Sequence, residues 1–103
     1  MERKQANYYL RRIYRLLKNN EVPIILKKIR STRGITDAKT IWLNPQNDIL
    51  LVIIHECLHV LYWSWSETKV TKSAVKIFNQ LTPRQMKNLL LRLALAVNKI
   101  PTD

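Results

Sequence analysis

The stretch ILLVIIHECLHVLYW, Ile49 to Trp63, decides how this chain is read. Its start, Ile49 to Ile54, could pass for a buried strand, but uninterrupted apolar character over the whole length favours a helix, with Asn44, Asn47 or Asp48 as cap. The apolar residues go round most of that helix, which puts it at the centre of the fold. Within it stand the only two histidines of the chain, His55 and His59. Residues four apart on a helix are offset by about 40° round the axis and about 6 Å along it, so both imidazoles point the same way and can share one zinc ion. Glu56 lies about 100° round from His55, beside the pair rather than between them. A carboxylate in that position is placed to take a proton from water at the metal, as a general base, and to stay out of the ligand set. The bland alternative is two core histidines with Glu56 as a solvated or ion-paired helix residue, and burying three ionisable groups with no metal to compensate them is costly. Cys57 falls about 160° to 200° from either histidine, on the opposite, packed face, and is read as core rather than ligand.

A catalytic zinc ordinarily has three protein ligands and one open position, and histidine is exhausted. The remaining acids outside the motif are Glu2, Glu21, Asp37, Asp48, Glu67 and Asp103. Of these only Glu67 sits just past a turn that could fold the next helix back on the first, so Glu67 is the expected third ligand. The competing reading is a capping box, Ser64-x-x-Glu67, in which the carboxylate satisfies a backbone N–H and nothing more.

Outward from the motif, Met1 to Leu17 carries Tyr9, Leu10, Ile13, Tyr14, Leu16 and Leu17 at helical spacing, with Arg11, Arg12, Arg15 and Lys18 elsewhere. This is an amphipathic helix stopped by Asn19-Asn20. Val22 to Ile29 has β character, with Pro23 tolerated at the start of a first or edge strand. Ser31 to Asp37, holding the single glycine Gly34, reads as a turn, and Lys39 to Leu43 as a second strand ended by Asn44-Pro45. The two strands are expected to be antiparallel neighbours. Beyond the motif, Trp63-Ser64-Trp65-Ser66 breaks the pattern and a helix follows with Val70, Ala74, Ile77 and Phe78 on one face. Thr82-Pro83-Arg84-Gln85 then offers an N-cap threonine, proline at the first helical position and glutamine where a capping box needs it. That last helix is expected to turn Met86, Leu89, Leu90, Leu93 and Val97 inward. The expected fold is α+β, with helix, small antiparallel ribbon and three helices in one domain over residues 1 to 103.

A chain of 103 residues with 47% apolar residues is large enough for one core and not for two. Its one cysteine excludes an internal disulfide, and charges interrupt Met1 to Lys18 too often for a secretory signal, so a cytoplasmic, soluble protein is expected. No run reaches the ~20 apolar residues that span a bilayer. Eighteen Lys and Arg against seven Asp and Glu give a charge of +11, and ten of those cations precede residue 34. Such a balance favours nucleic acid or acidic partners, although solubility also accounts for it.

In His55, Glu56 and His59 the sequence resembles the zincin metallopeptidases. With Glu67 as third ligand it is similar to the gluzincin branch, and in length to its minimal members, the minigluzincins; Glu67 follows the second histidine more closely than in many gluzincins. The resemblance covers about Lys39 to Phe78 and implies a zinc-dependent peptidase acting on a peptide or protein substrate. It also implies that the strand before the motif helix, Lys39 to Leu43, lines the cleft and holds an extended peptide, and that Ile100 to Asp103 plugs the cleft in a latent form. Kinship to the SprT-like peptidases is looser, since their third ligand is a histidine. Tyr62, one turn beyond His59, is a candidate oxyanion donor or a packing residue with a wet hydroxyl. Trp42, Trp63 and Trp65 are expected in the core or the cleft wall. The alternative function is a non-catalytic zinc-binding domain whose basic surface contacts nucleic acid or a protein partner; a third is a regulator with no metal.

Overall fold

The spacing of Leu10, Ile13 and Leu17 makes the N-terminal segment a helix with one apolar stripe, and the computed structural model bears this out as α1, Arg3–Lys18. It describes residues 1–19, 23–26, 34–36, 41–43 and 48–97. Ala6, Leu10, Ile13, Leu16 and Leu17 are buried, while Arg11 and Arg15 between them are exposed and Arg12 is half-buried, and Asn19 forms the C-cap. Three short strands follow: β1 (Ile24–Leu26), β2 (Gly34–Thr36) and β3 (Ile41–Leu43). Then come α2 (Ile49–Leu61), α3 (Glu67–Asn79) and α4 (Pro83–Ala96), so the chain is mostly helical with a small sheet at one side.

The sheet corrects the expected ribbon in three ways. The strand order is β1-β3-β2, β1 and β3 run parallel with Ile24 opposite Ile41, and β2 pairs antiparallel with β3, Gly34 opposite Leu43. The stretch taken as a turn therefore contains a strand, with the glycine at its first residue. Two parallel strands cannot be joined by a tight hairpin, and here the connection contributes its own strand to the far side of β3. Finally, β3 is central and not an edge. Among the described residues the outer side of β2 carries no pairing strand, whereas Val97, just past α4, forms a parallel bridge with Ile24 on the outer side of β1. Residues 37–40 and 44–47, including the expected caps Asn44 and Asn47, lie outside the described residues.

α2 is the central helix that its all-round apolar character requires: it packs against α1, α3, α4, β2 and β3. Val52, Ile53, Ile54, Cys57 and Leu58 are buried on it. Each such aliphatic side chain contributes roughly 1.5–3 kcal/mol by leaving water. Asp48 occupies the N-cap position, but its side chain makes no capping hydrogen bond. The helix is held by burial on its sides, as most short protein helices are.

α3 buries Val70, Ala74 and Ile77, with Phe78 half-buried, as its spacing dictates. α4 opens on the full capping box: the Gln85 N–H donates to Thr82 Oγ1 at 3.1 Å and the Thr82 N–H donates to Gln85 Oε1 at 3.0 Å. Gln85 also ties α4 to α1, because its carbonyl accepts from the Tyr14 hydroxyl at 3.1 Å and its Nε2 donates to Asn7 Oδ1 at 3.0 Å. Leu89 and Leu93 point inward, but Leu90 is 50% exposed, contrary to expectation. One residue along a helix is about 100° of rotation, and that carries Leu90 off the line set by Leu89 and Leu93.

No helix among the described residues is long and apolar enough to cross a membrane.

Candidate metal centre

The two histidines are brought together by local geometry alone. They stand one turn apart on α2, with Nε2 atoms 3.1 Å from each other and rings 4.8 Å apart at the centroids. Each side chain is about a quarter exposed, so the pair opens outward from a helix that is otherwise core.

Glu67 reaches the same point from the other side of the α2–α3 turn. Its Oε1 is 2.9 Å from His55 Nε2 and its Oε2 is 2.8 Å from His59 Nε2. It can do so because Ser66, and not Ser64, is the N-cap of α3: the Ser66 hydroxyl accepts from the Lys69 N–H at 3.2 Å. Glu67 is thus the first residue of its helix and its carboxylate has no capping duty, so the Ser64-x-x-Glu67 capping box is not formed. Thr71, one turn further on, places its hydroxyl 3.4 Å from Glu67 Oε1. Sequence reading passed over Thr71, although its spacing of four from Glu67 is the signal that would have found it.

One donor atom from each of His55, His59 and Glu67 lies within 4.8 Å of the other two, a group that can hold a metal ion. The two imidazole nitrogens stand 3.1 Å apart and each lies against a different oxygen of the Glu67 carboxylate, at 2.9 Å and 2.8 Å, so nitrogen and oxygen donors face one small space. The chemistry of the set suits such an ion, since imidazole nitrogen and carboxylate oxygen are both donors that zinc accepts.

Glu56 is 6% exposed, the one buried charged side chain among the described residues, and it is not without a partner. Cys57 is fully buried, and that burial pushes its thiol well above the ordinary range, with the neighbouring Glu56 carboxylate adding to the shift. A thiol so placed does not enter the ligand set, as expected from its side of the helix.

An aromatic cluster adjoins the centre. Tyr62, the C-cap of α2, stacks on Trp65 with ring centroids 4.3 Å apart, and Tyr9 of α1 meets both edge-on. The Arg12 guanidinium lies 5.3 Å from the Tyr62 ring, and Lys69 Nζ 4.3 Å from that of Trp65. Burial raises the Tyr62 pKa while Arg12 opposes the shift. Tyr62 is thus packed into a wall. Trp65 belongs to that wall too, but Trp63 is 85% exposed and belongs to neither core nor wall. Trp63 stands in the turn that follows α2, past the last residue of the helix. The side chain of Trp42 and the C-terminal segment Ile100 to Asp103 lie outside the described residues.

No protein-family model, curated protein or solved structure matches this chain.

Proposed function

We propose that the chain is a zinc-dependent peptidase in which His55, His59 and Glu67 hold the metal and Glu56 is the general base. The observation that carries this reading is the convergence of three donor atoms, two from α2 and one from α3, at one partly exposed point. With these three residues as its protein ligands a bound zinc would keep a place for water or substrate, as catalytic rather than structural sites do. Zinc bound there supplies a Lewis acid that polarises a carbonyl and makes water acidic near neutral pH. Glu56, adjacent to His55 on the same helix, takes the proton of the attacking water and delivers it to the leaving amine.

The substrate strand is assigned to the outer edge of β2 rather than to β3, whose two sides are already paired. β2 packs against α2, so a peptide added there by main-chain hydrogen bonds would run beside the motif helix.

The test compares zinc-loaded wild type with Glu56→Gln on an unstructured protein substrate. Zinc content is expected to be equal and hydrolysis to fall by at least about 100-fold. Equal turnover removes Glu56 as base. Absence of zinc uptake by wild type removes both this reading and that of a non-catalytic zinc-binding domain.

A further inference from the structure

The exposed side of α1 is a single cationic stripe. Lys4, Tyr8, Arg11, Arg15 and Lys18 follow one another at spacings of three and four residues, and all are exposed. No Asp or Glu interrupts α1 from Arg3 to Lys18, and among the described residues no carboxylate forms an ion pair with these cations. Like charges one helical turn apart oppose helix formation by a few tenths of a kcal/mol per pair, and a solvated face ordinarily intersperses both signs. α3, which packs on α1, adds Lys69, Lys72 and Lys76 at the same spacings.

Charge alone would suit any polyanion, but the stripe is interleaved with rings. Tyr8 is 46% exposed, yet its ring is fixed: it meets Tyr9 edge-on at 5.6 Å, and Arg12 lies 5.9 Å from its centroid while Nη1 donates to its hydroxyl at 3.1 Å. The same Arg12 covers Tyr62, and so connects the stripe to the turn that carries the exposed Trp63. A flat ring held in place among cations is what an unpaired base stacks on while its phosphates meet the charges. A membrane of anionic lipid would use the charges and have no need of the held ring. The apolar side of α1 is spent in the core, so the helix has no apolar face of its own to lay into a bilayer.

We propose that α1, the α2–α3 turn and Lys69 of α3 form a binding surface for single-stranded nucleic acid, with Arg11, Arg15 and Lys69 on phosphates and Tyr8 and Trp63 stacking on bases. This surface contains no metal ligand and does not depend on the peptidase reading.

The probe is a labelled oligothymidine of about 20 nucleotides, titrated by fluorescence anisotropy across a series of salt concentrations. Affinity is expected to fall with salt, and Arg11→Gln with Arg15→Gln is expected to reduce the slope of log K against log salt by about 1.4, the share of two phosphates on a single strand. Tyr8→Leu and Trp63→Leu are each expected to weaken binding roughly tenfold at fixed salt with the slope unchanged. All four substitutions fall on exposed side chains, and circular dichroism verifies that the variants fold. The proposal is overturned if both ring variants bind as wild type, or if phosphatidylserine vesicles or duplex DNA bind as tightly as the single strand. It is also overturned if affinity changes when zinc is added or chelated, because that would place the contact at the histidines.

Discussion

Glu67 Oε2 stands 2.8 Å from His59 Nε2, and between the two lies the whole turn that joins α2 to α3. An ion held by both therefore fastens one helix to the next. Because 67% of the Glu67 side chain is exposed, its contacts with His55 and His59 are screened by water, and Glu67→Ala is expected to change metal-free stability by no more than about 1 kcal/mol. Zinc at about 100 times its dissociation constant should stabilise the wild type by about 2.7 kcal/mol, and that gain should be much smaller in the variant. Thermal melts with zinc and with chelator measure both. A full zinc-induced rise in Glu67→Ala would remove Glu67 from the ligand set.

Cys57 should be inert in the folded protein. Its thiol is fully buried and burial holds it protonated, so little thiolate is offered to a reagent at mildly alkaline pH. Iodoacetamide labelling followed by mass spectrometry should give negligible modification of the native chain and complete modification in denaturant. Rapid native labelling would show that α2 opens on the timescale of the reaction.

The Tyr14 hydroxyl bridges α1 to the carbonyl of Gln85 on α4, and Tyr14→Phe is expected to cost about 0.5–1.5 kcal/mol at neutral pH. Burial raises the folded-state pKa of Tyr14 above its ordinary 10.0, with Arg92 opposing the shift. The unfolded chain then releases this proton first, so the contribution of Tyr14 to stability is complete below pH 10.0 and declines above it. Denaturant midpoints taken from neutral pH to above pH 10 should fall less steeply for Tyr14→Phe. An equal decline in both proteins would mean that other groups govern the alkaline limb.

Thr82→Ala removes one half of a reciprocal pair of hydrogen bonds at the start of α4 and is expected to cost about 1 kcal/mol. Urea denaturation measures it. Thr82→Ser should recover most of the loss, and failure to do so would mean that the threonine methyl, rather than the hydroxyl, matters there.

What the sequence made legible was local. His55 and His59 at four-residue spacing, the Thr82–Gln85 capping box and the buried row Val70, Ala74 and Ile77 each follow from the period of one helix, and each stands in place. Glu67 was reached by elimination and by the turn before it, which also needs only neighbouring residues. The sheet was not legible, because whether Ile41 pairs beside Ile24 in parallel or antiparallel sense is decided by long-range packing that three-residue strands do not encode. Gly34 was read by its habit in turns, and here it opens a strand. Trp63 and Leu90 read as inward on hydrophobicity, which says what a side chain gains by burial but not whether its place on the backbone permits it.

The bridge between Val97 and Ile24 bears on how copies of this chain would meet. A sheet with two bare sides can template addition without limit, as fibrils do. Here Val97 bridges the outer flank of β1 at Ile24, so among the described residues the flank of β2 is the one with no bridge at all. Two copies that paired through it would use both of those flanks at the first encounter and form a closed pair rather than a growing filament.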